Sequence, residues 1–212
     1  MIYKNESTVD ANKQKVHDFW NDASCGEALL LTGMDRSGYL AQSRERYQLE
    51  PFIPQFAKFH EVLGKRVLEI GVGLGADHQR FAEMGAVLYG VDLTERAVAH
   101  SNRRLKLFGL SSEIKVGDAE NLSFAESTFD IVYSWGVLHH SPNTSLAVSE
   151  VYRVLKPGGE ALIMMYHKWS MVGAMLWLRY GLFAGRPWRS LRSIYSEHLE
   201  SPGTKAYTYG EV

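Results

Sequence analysis

The sequence predicts one α/β unit built on a doubly wound parallel sheet, with helical appendages on either side. Three observations carry this. The chain has 212 residues, 45% of them hydrophobic, enough for one sizeable core and too few for two ordinary enzyme domains. From Arg66 onward, short runs rich in Val, Ile and Leu alternate with helical stretches, the pattern of strands buried on both faces of a sheet. The first such run passes into its helix through Gly71, Gly73 and Gly75, where the backbone must turn sharply or approach a ligand closely.

The elements follow in order. Val16, Phe19, Trp20 and Ala23 recur at helical spacing and define one apolar helix face. Cys25 to Gly38, with three glycines, reads as loop. A second helix starts at Pro51, whose missing amide costs nothing in a first turn, and buries Phe52, Ile53, Phe56 and Phe59. These residues, 1–62, form a helical cap. Between the two helices, Tyr39, Arg44, Arg46 and Tyr47 read first as a solvated helix face, and second as a source of a Tyr or Arg that closes over the carboxylate of a bound ligand. Strands are expected at 66–70, 86–91, 113–117, 129–134 and 160–166, and helices at 75–84, 94–108 and 143–155. Gly85 and Gly109 suit the left-handed position after a helix, and the third helix stops at Lys156-Pro157-Gly158-Gly159. Strand and helix in alternation imply right-handed crossovers over residues 63–166. Residues 167–212 comprise an apolar helix and an irregular tail.

Composition removes several functions. The 23 basic and 24 acidic residues nearly cancel, so the electropositive field needed for a nucleic-acid backbone is missing. Cys25 is the only cysteine, which excludes an internal disulfide and a cysteine-based zinc site. No metal site is read from the sequence, and Cys25 has no paired base that would make it a nucleophile. Met1 to Asp10 lacks the basic and apolar segments of a secretory signal, so a cytoplasmic location is expected.

Asp92 follows Gly71 by 21 residues at the end of the second strand, the position from which a carboxylate accepts both hydroxyls of a ribose. Glycine loop and carboxylate together describe an adenosine site. Gly71, Gly73 and Ala76 also satisfy the dinucleotide fingerprint, so up to this point a nicotinamide-dependent oxidoreductase remains open. The wider constellation resembles the class I methyltransferases of the type that includes the quinone-biosynthesis and small-molecule enzymes. Glu69-Ile70-Gly71-Val72-Gly73-Leu74-Gly75 is similar to that family's first loop, Gly117-Asp118-Ala119-Glu120 to the end of its third strand, Phe129 through His140 to its fourth strand and the histidine-bearing loop after it, and Leu155 to Gly159 to the turn before its fifth.

The resemblance implies a Rossmann-like sheet, S-adenosylmethionine as cofactor and a small methyl acceptor. It implies that Asp92 holds the ribose, that Leu93 lies against the adenine, and that Asp118 and the Ala119 backbone read the adenine edge. Glu69, Ser134 and Trp135, at strand carboxyl ends, would face the methionine arm, whose carboxylate suits the amides of the helix beginning near Gly75. Methyl transfer is an in-line displacement that needs positioning, exclusion of water and, for some acceptors, a base. His139 and His140, just past a strand end, are the candidate bases. They are equally read as loop-shaping hydrogen-bond partners.

Relatives in this family carry seven strands in the order 3-2-1-4-5-7-6, whereas only five are read here, in the order 3-2-1-4-5. The fifth would then be an open edge, covered either by a second copy of the chain or by residues 170–192. Those residues, Met171, Met175, Leu176, Trp177, Leu178 and Phe183 among them, are followed by Arg186, Arg189 and Arg192. They read first as a core-packing helix, then as a lid over a lipophilic acceptor, then as a helix lying on a membrane surface. The leading function is methylation of a small O, N or C nucleophile, set against a catalytically silent methyltransferase fold acting as a scaffold.

Overall fold

In a computed structural model, residues 6–211 are described. Among them, five strands form one parallel sheet in the order β3-β2-β1-β4-β5, the order expected. The strands are β1 (Arg66–Ile70), β2 (Val87–Asp92), β3 (Glu113–Val116), β4 (Phe129–Trp135) and β5 (Leu155–Met164). β1 occupies the middle, with Leu68 beside Tyr89 of β2 and Val132 of β4. Because strand side chains alternate, Val67 and Leu68 enter different cores. Val67, Leu88, Ile131, Tyr133 and Leu162 pack with Phe81 on one face. Leu68, Ile70, Val91 and Val132 pack with Ala147, Val151 and Val154 on the other.

The helices covering these faces begin and end as their sequences direct. Residues Ala76–Glu83 form α5, entered through Gly75 in a left-handed conformation. Residues Glu95–Phe108 form α6, capped by the Thr94 side chain accepting from the Ala97 amide and ended by left-handed Gly109. Residues Thr144–Val154 form α7, capped by Asn143. The Lys156-Pro157-Gly158-Gly159 turn does not precede the fifth strand but lies inside it. β5 starts at Leu155 opposite Phe129, and its register then jumps to Glu160 opposite Ile131, so the turn is a bulge that keeps pairing on both sides.

The segment before the sheet holds α1 (Glu6–Asp22), α2 (Glu27–Leu30), α3 (Arg36–Leu49) and α4 (Ile53–Phe56). Val16 is buried while Phe19 is exposed, so the apolar stripe of α1 is narrower than its spacing suggests. Ile53 and Phe59 enter the core; Phe56 is half-buried and Phe52 exposed. Helix α3 corrects the reading of a solvated face. Arg44 is exposed, yet Tyr39 is fully buried, its hydroxyl 2.9 Å from His100 Nδ1. The fully buried Arg104 of α6 donates to the Tyr39 carbonyl, Gln42, Gln79, the Leu74 carbonyl and Ser43. All its polar edges are satisfied, which is the condition for burying a guanidinium.

Beyond β5 come α8 (Met171–Trp177), a π-helical turn (Leu178–Leu182) and α9 (Leu191–His198). No residue of 193–211 forms a strand beside β5; one bridge joins Tyr207 to His167 just past its end. Helix α8 packs on α9, with Gly173 so close to the Tyr195 hydroxyl that no larger residue fits. Met171 and Met175 on α8, and Trp169, Phe183 and Trp188 in the segments flanking it, are all exposed, which overturns the core-packing reading for this face. Among the described residues, no helix is long and apolar enough to cross a membrane.

Candidate active site

The carboxyl ends of the strands open into a cavity of about 400 Å³, within the range that holds a cofactor or drug-sized molecule. Its floor is the turn from β1 to α5. Gly71 has φ 84° and backs against Val137, whose methyl would sit 2.2 Å from any added Cβ. Gly73 has φ 49°, and a Cβ there would meet nothing within 4 Å. The first glycine lets the loop pack; the second leaves a cradle that a side chain would fill.

Asp92 anchors this turn. One of its oxygens accepts from the Gly73 amide at 3.1 Å, and the other from the Thr94 amide and hydroxyl at 3.0 and 2.9 Å. Burial pushes its pKa up, against the pull of those donors. Leu93, Asp118 and Ala119 also line the cavity. Asp118 accepts from the Glu120 amide at 2.8 Å and pairs with Lys13 of α1, which also reaches the buried Glu120 at 2.9 Å. Helix α1 thus closes the side of the cavity formed by β3, with Val16 and Trp20 in its wall.

The opposite side is built by α3, for which the sequence reading puts a solvated face ahead of a contribution to the site. Asp77, in the first turn of α5, accepts from Arg46 at 2.7 Å, Tyr47 at 2.9 Å and Tyr133 at 2.9 Å. Burial works against the Arg46 charge, but Asp77 holds its pKa above the usual value. Arg46 also pairs with Glu50, which accepts from the Trp135 indole at 3.1 Å. The signal available was only that Arg46 and Glu50 lie four apart on one helix.

The expected residues separate. Glu69, Gly71, Gly73, Gly75, Asp92, Leu93, Asp118, Ala119, Trp135 and His140 line the cavity. Ser134 is fully buried, outside the cavity wall, its hydroxyl donating to the Ile70 carbonyl at 3.1 Å, where it ties β4 to β1. His139 is fully buried behind the wall, with no hydrogen-bond partner on either ring nitrogen. Burial and its neighbour His140 push its pKa down to about 2. Its ring lies 4.3 Å from that of His140 and 4.1 Å from that of Tyr166. His140 Nδ1 meets the Ser201 and Thr204 hydroxyls at 2.8 and 3.0 Å. Its Nε2 lies 3.3 Å from Glu200, which accepts from the Tyr166 hydroxyl at 2.8 Å. Tyr166 and Glu200 line the cavity and were not anticipated. Glu200 is 60 residues from His140, and the sequence around it announced only a Ser-Pro-Gly turn.

Residues 68–163 match the methyltransferase domain family. Among curated relatives, phosphoethanolamine N-methyltransferase 2 of Caenorhabditis elegans is 37% identical over 50% of this chain and 24% of its own length. The ubiquinone biosynthesis O-methyltransferase of Rhizobium etli is 30% identical over 53% of this chain and 45% of its own. The chain thus spans less than half the length of these relatives. Among solved structures, magnesium protoporphyrin IX methyltransferase of Synechocystis with bound S-adenosylmethionine shares the fold at a TM-score of 0.53 and 18% identity, covering 68% of this chain and 72% of that one. The core of the chain, residues 68–163, is similar to the class I S-adenosylmethionine-dependent methyltransferases, whose cofactor is S-adenosylmethionine.

Proposed function

We propose that this chain transfers a methyl group from S-adenosylmethionine to a small, largely apolar acceptor bearing an O, N or C nucleophile. The observation that carries this reading is the continuity of the cavity. The cradle at Gly73 and the acids Asp92 and Asp118 share one space with Val16, Trp20, Trp135, Pro142, Met164 and Tyr166, an apolar wall that the cofactor's polar ends do not need. The cofactor supplies a methyl carbon already activated by its sulfonium.

The chain's own residues then position and exclude. Asp92 orients one end of the cofactor through its two oxygens, and the Asp77 network stiffens the first turn of α5 beside the other. Trp20 and Tyr166 keep water from the acceptor. Where an acceptor loses a proton, His140 and Glu200 are the titratable groups at the apolar end of the cavity. We also propose that the exposed face of Trp169, Met171, Met175, Phe183 and Trp188, followed by Arg186 and Arg192, meets an anionic lipid surface; aromatic side chains beside arginines favour that boundary. An apolar acceptor would reach the cavity from there.

Thermal denaturation with S-adenosylhomocysteine, with NAD and with neither tests the cofactor half, since only a ligand of the native state raises the midpoint. Transfer of labelled methyl groups to a panel of phenols, amines and sterols tests the acceptor half. Stabilisation by NAD alone would overturn the reading.

A further inference from the structure

We infer that His139, His140 and Glu200 form a site for one divalent transition-metal ion, Zn²⁺ in the first instance, at the apolar end of the cavity. One ligand atom from each of the three lies within 4.8 Å of the others. Some point therefore lies within about 2.8 Å of all three atoms, against about 2.0–2.2 Å for Zn–N and Zn–O bonds. Contractions of that size lie within the reach of small side-chain rotations.

The hydrogen bonds around the cluster prepare it for a cation. The Ser201 and Thr204 hydroxyls, 2.8 and 3.0 Å from His140 Nδ1, can accept the proton of the tautomer that a metal selects, which leaves the Nε2 lone pair, 3.3 Å from a Glu200 oxygen, for the ion. Behind them is His139, fully buried, with both ring nitrogens lacking a partner. A buried imidazole in that state costs free energy that a metal bond at one nitrogen recovers. Tyr166 donates to Glu200 at 2.8 Å, as the outer partner of a ligating carboxylate does. The Glu200 backbone, at φ 129°, is held in a region that side-chain-bearing residues rarely adopt.

Two imidazoles and a carboxylate are a borderline donor set that suits zinc and its neighbours better than magnesium or calcium. Such a set leaves a coordination position, here on the side of the cavity that His140, Tyr166 and Glu200 line. The Lys205 amine nearby donates to the Ser141 carbonyl and Thr144. Binding of the ion stands apart from the proposed function; its use on an acceptor oxygen rests on that reading.

The test is titration of chelator-treated protein with Zn²⁺ by calorimetry, and with Co²⁺ by visible absorption. The parent is expected to bind one equivalent, with affinity reduced at least tenfold in Glu200→Gln and His140→Ala and about tenfold in Tyr166→Phe. Glu200 lies at the surface end of the cluster, so its variant reports even if loss of a buried histidine perturbs folding. No binding by the parent, or equal binding by Glu200→Gln, overturns the inference and leaves a His140–Glu200 ion pair in its place. S-adenosylhomocysteine stabilisation, measured on the same samples, separates failure of the metal site from failure of the cofactor reading.

Discussion

Glu69 and His78 meet at 2.8 Å through a hydrogen bond in which the carboxyl is the donor. The Ser112 hydroxyl donates to the Leu88 carbonyl at 2.7 Å, so it accepts from His78 Nε2 at 2.9 Å. His78 Nδ1 is then a lone pair facing the Glu69 oxygen. Burial, with Asp77 adding to it, pushes the Glu69 carboxyl well above the usual range, and burial pushes His78 down to about 3. Both shifts favour the neutral forms, in which the proton of the pair sits on the acid.

The pair gives opposed pH dependences. A depressed His78 stabilises the fold fully above pH 6.5, and that contribution is lost as pH falls from there toward about 3. A raised Glu69 destabilises increasingly as pH rises above 4.5, because only the unfolded chain releases the proton. Between those limits the two slopes oppose each other in the parent. Glu69→Gln keeps a donor to His78 and removes one slope. Its stability relative to the parent should rise with pH above 4.5, by at most about 1.4 kcal/mol per pH unit. Urea unfolding at half-unit steps checks this, and parallel curves would show that Glu69 is ionised in the native protein.

Asp92→Ala should weaken S-adenosylhomocysteine binding by about 1.5–3 kcal/mol, the value of charge-assisted hydrogen bonds. The variant loses two things at once, the acceptor proposed for the ribose and the tether on the Gly73 amide. Asp92→Asn separates them, since its side-chain oxygen still accepts from Gly73. Calorimetry that gives Asp92→Ala the parent's affinity would take Asp92 out of the site.

Gly73→Val should abolish cofactor binding while preserving secondary structure. The added side chain meets no protein atom within 4 Å of its Cβ, only the cavity. The φ of 49° makes the substitution strained, so the melting temperature should drop even though circular dichroism is retained. Normal binding by a folded variant would mean that the cradle does not hold the methionine arm.

Vesicle flotation tests the exposed apolar face. Binding is expected to vesicles containing phosphatidylglycerol, to be weaker on purely zwitterionic vesicles, and to fall with added salt. Phe183→Ser combined with Trp188→Ser should remove it and leave S-adenosylhomocysteine binding intact, because neither residue touches the cavity. Retained flotation in that double variant would assign the contact elsewhere.

What the sequence revealed and what it hid divide along physical lines. The sheet was legible because burial on both faces writes continuous apolar runs, and the cofactor side because glycine and aspartate at set intervals serve the backbone itself. Arg46 and Tyr47 were misread because a polar side chain on a helix looks the same whether it faces water or Asp77. His139 and His140 were seen as a pair, but adjacent residues leave a turn in different directions, and only coordinates tell the wall from what lies behind it. Glu200 was out of reach, since nothing local links it to a loop 60 residues earlier.

The tail that brings Glu200 into place returns along the end of β5. The Tyr207 amide bonds to the Tyr166 carbonyl at 2.9 Å, and the Lys205 amide to the His139 carbonyl at 3.1 Å. On a ribosome these contacts form after those of the sheet. The glycine turn, Asp92 and Asp118 have all been synthesised by the time β5 is made, whereas the wall carrying Glu200 waits on some forty further residues, or about two to eight seconds at ordinary synthesis rates. Under the proposed function, a nascent chain would therefore pass through an interval in which the cofactor side is made before the wall carrying Glu200 closes the cavity.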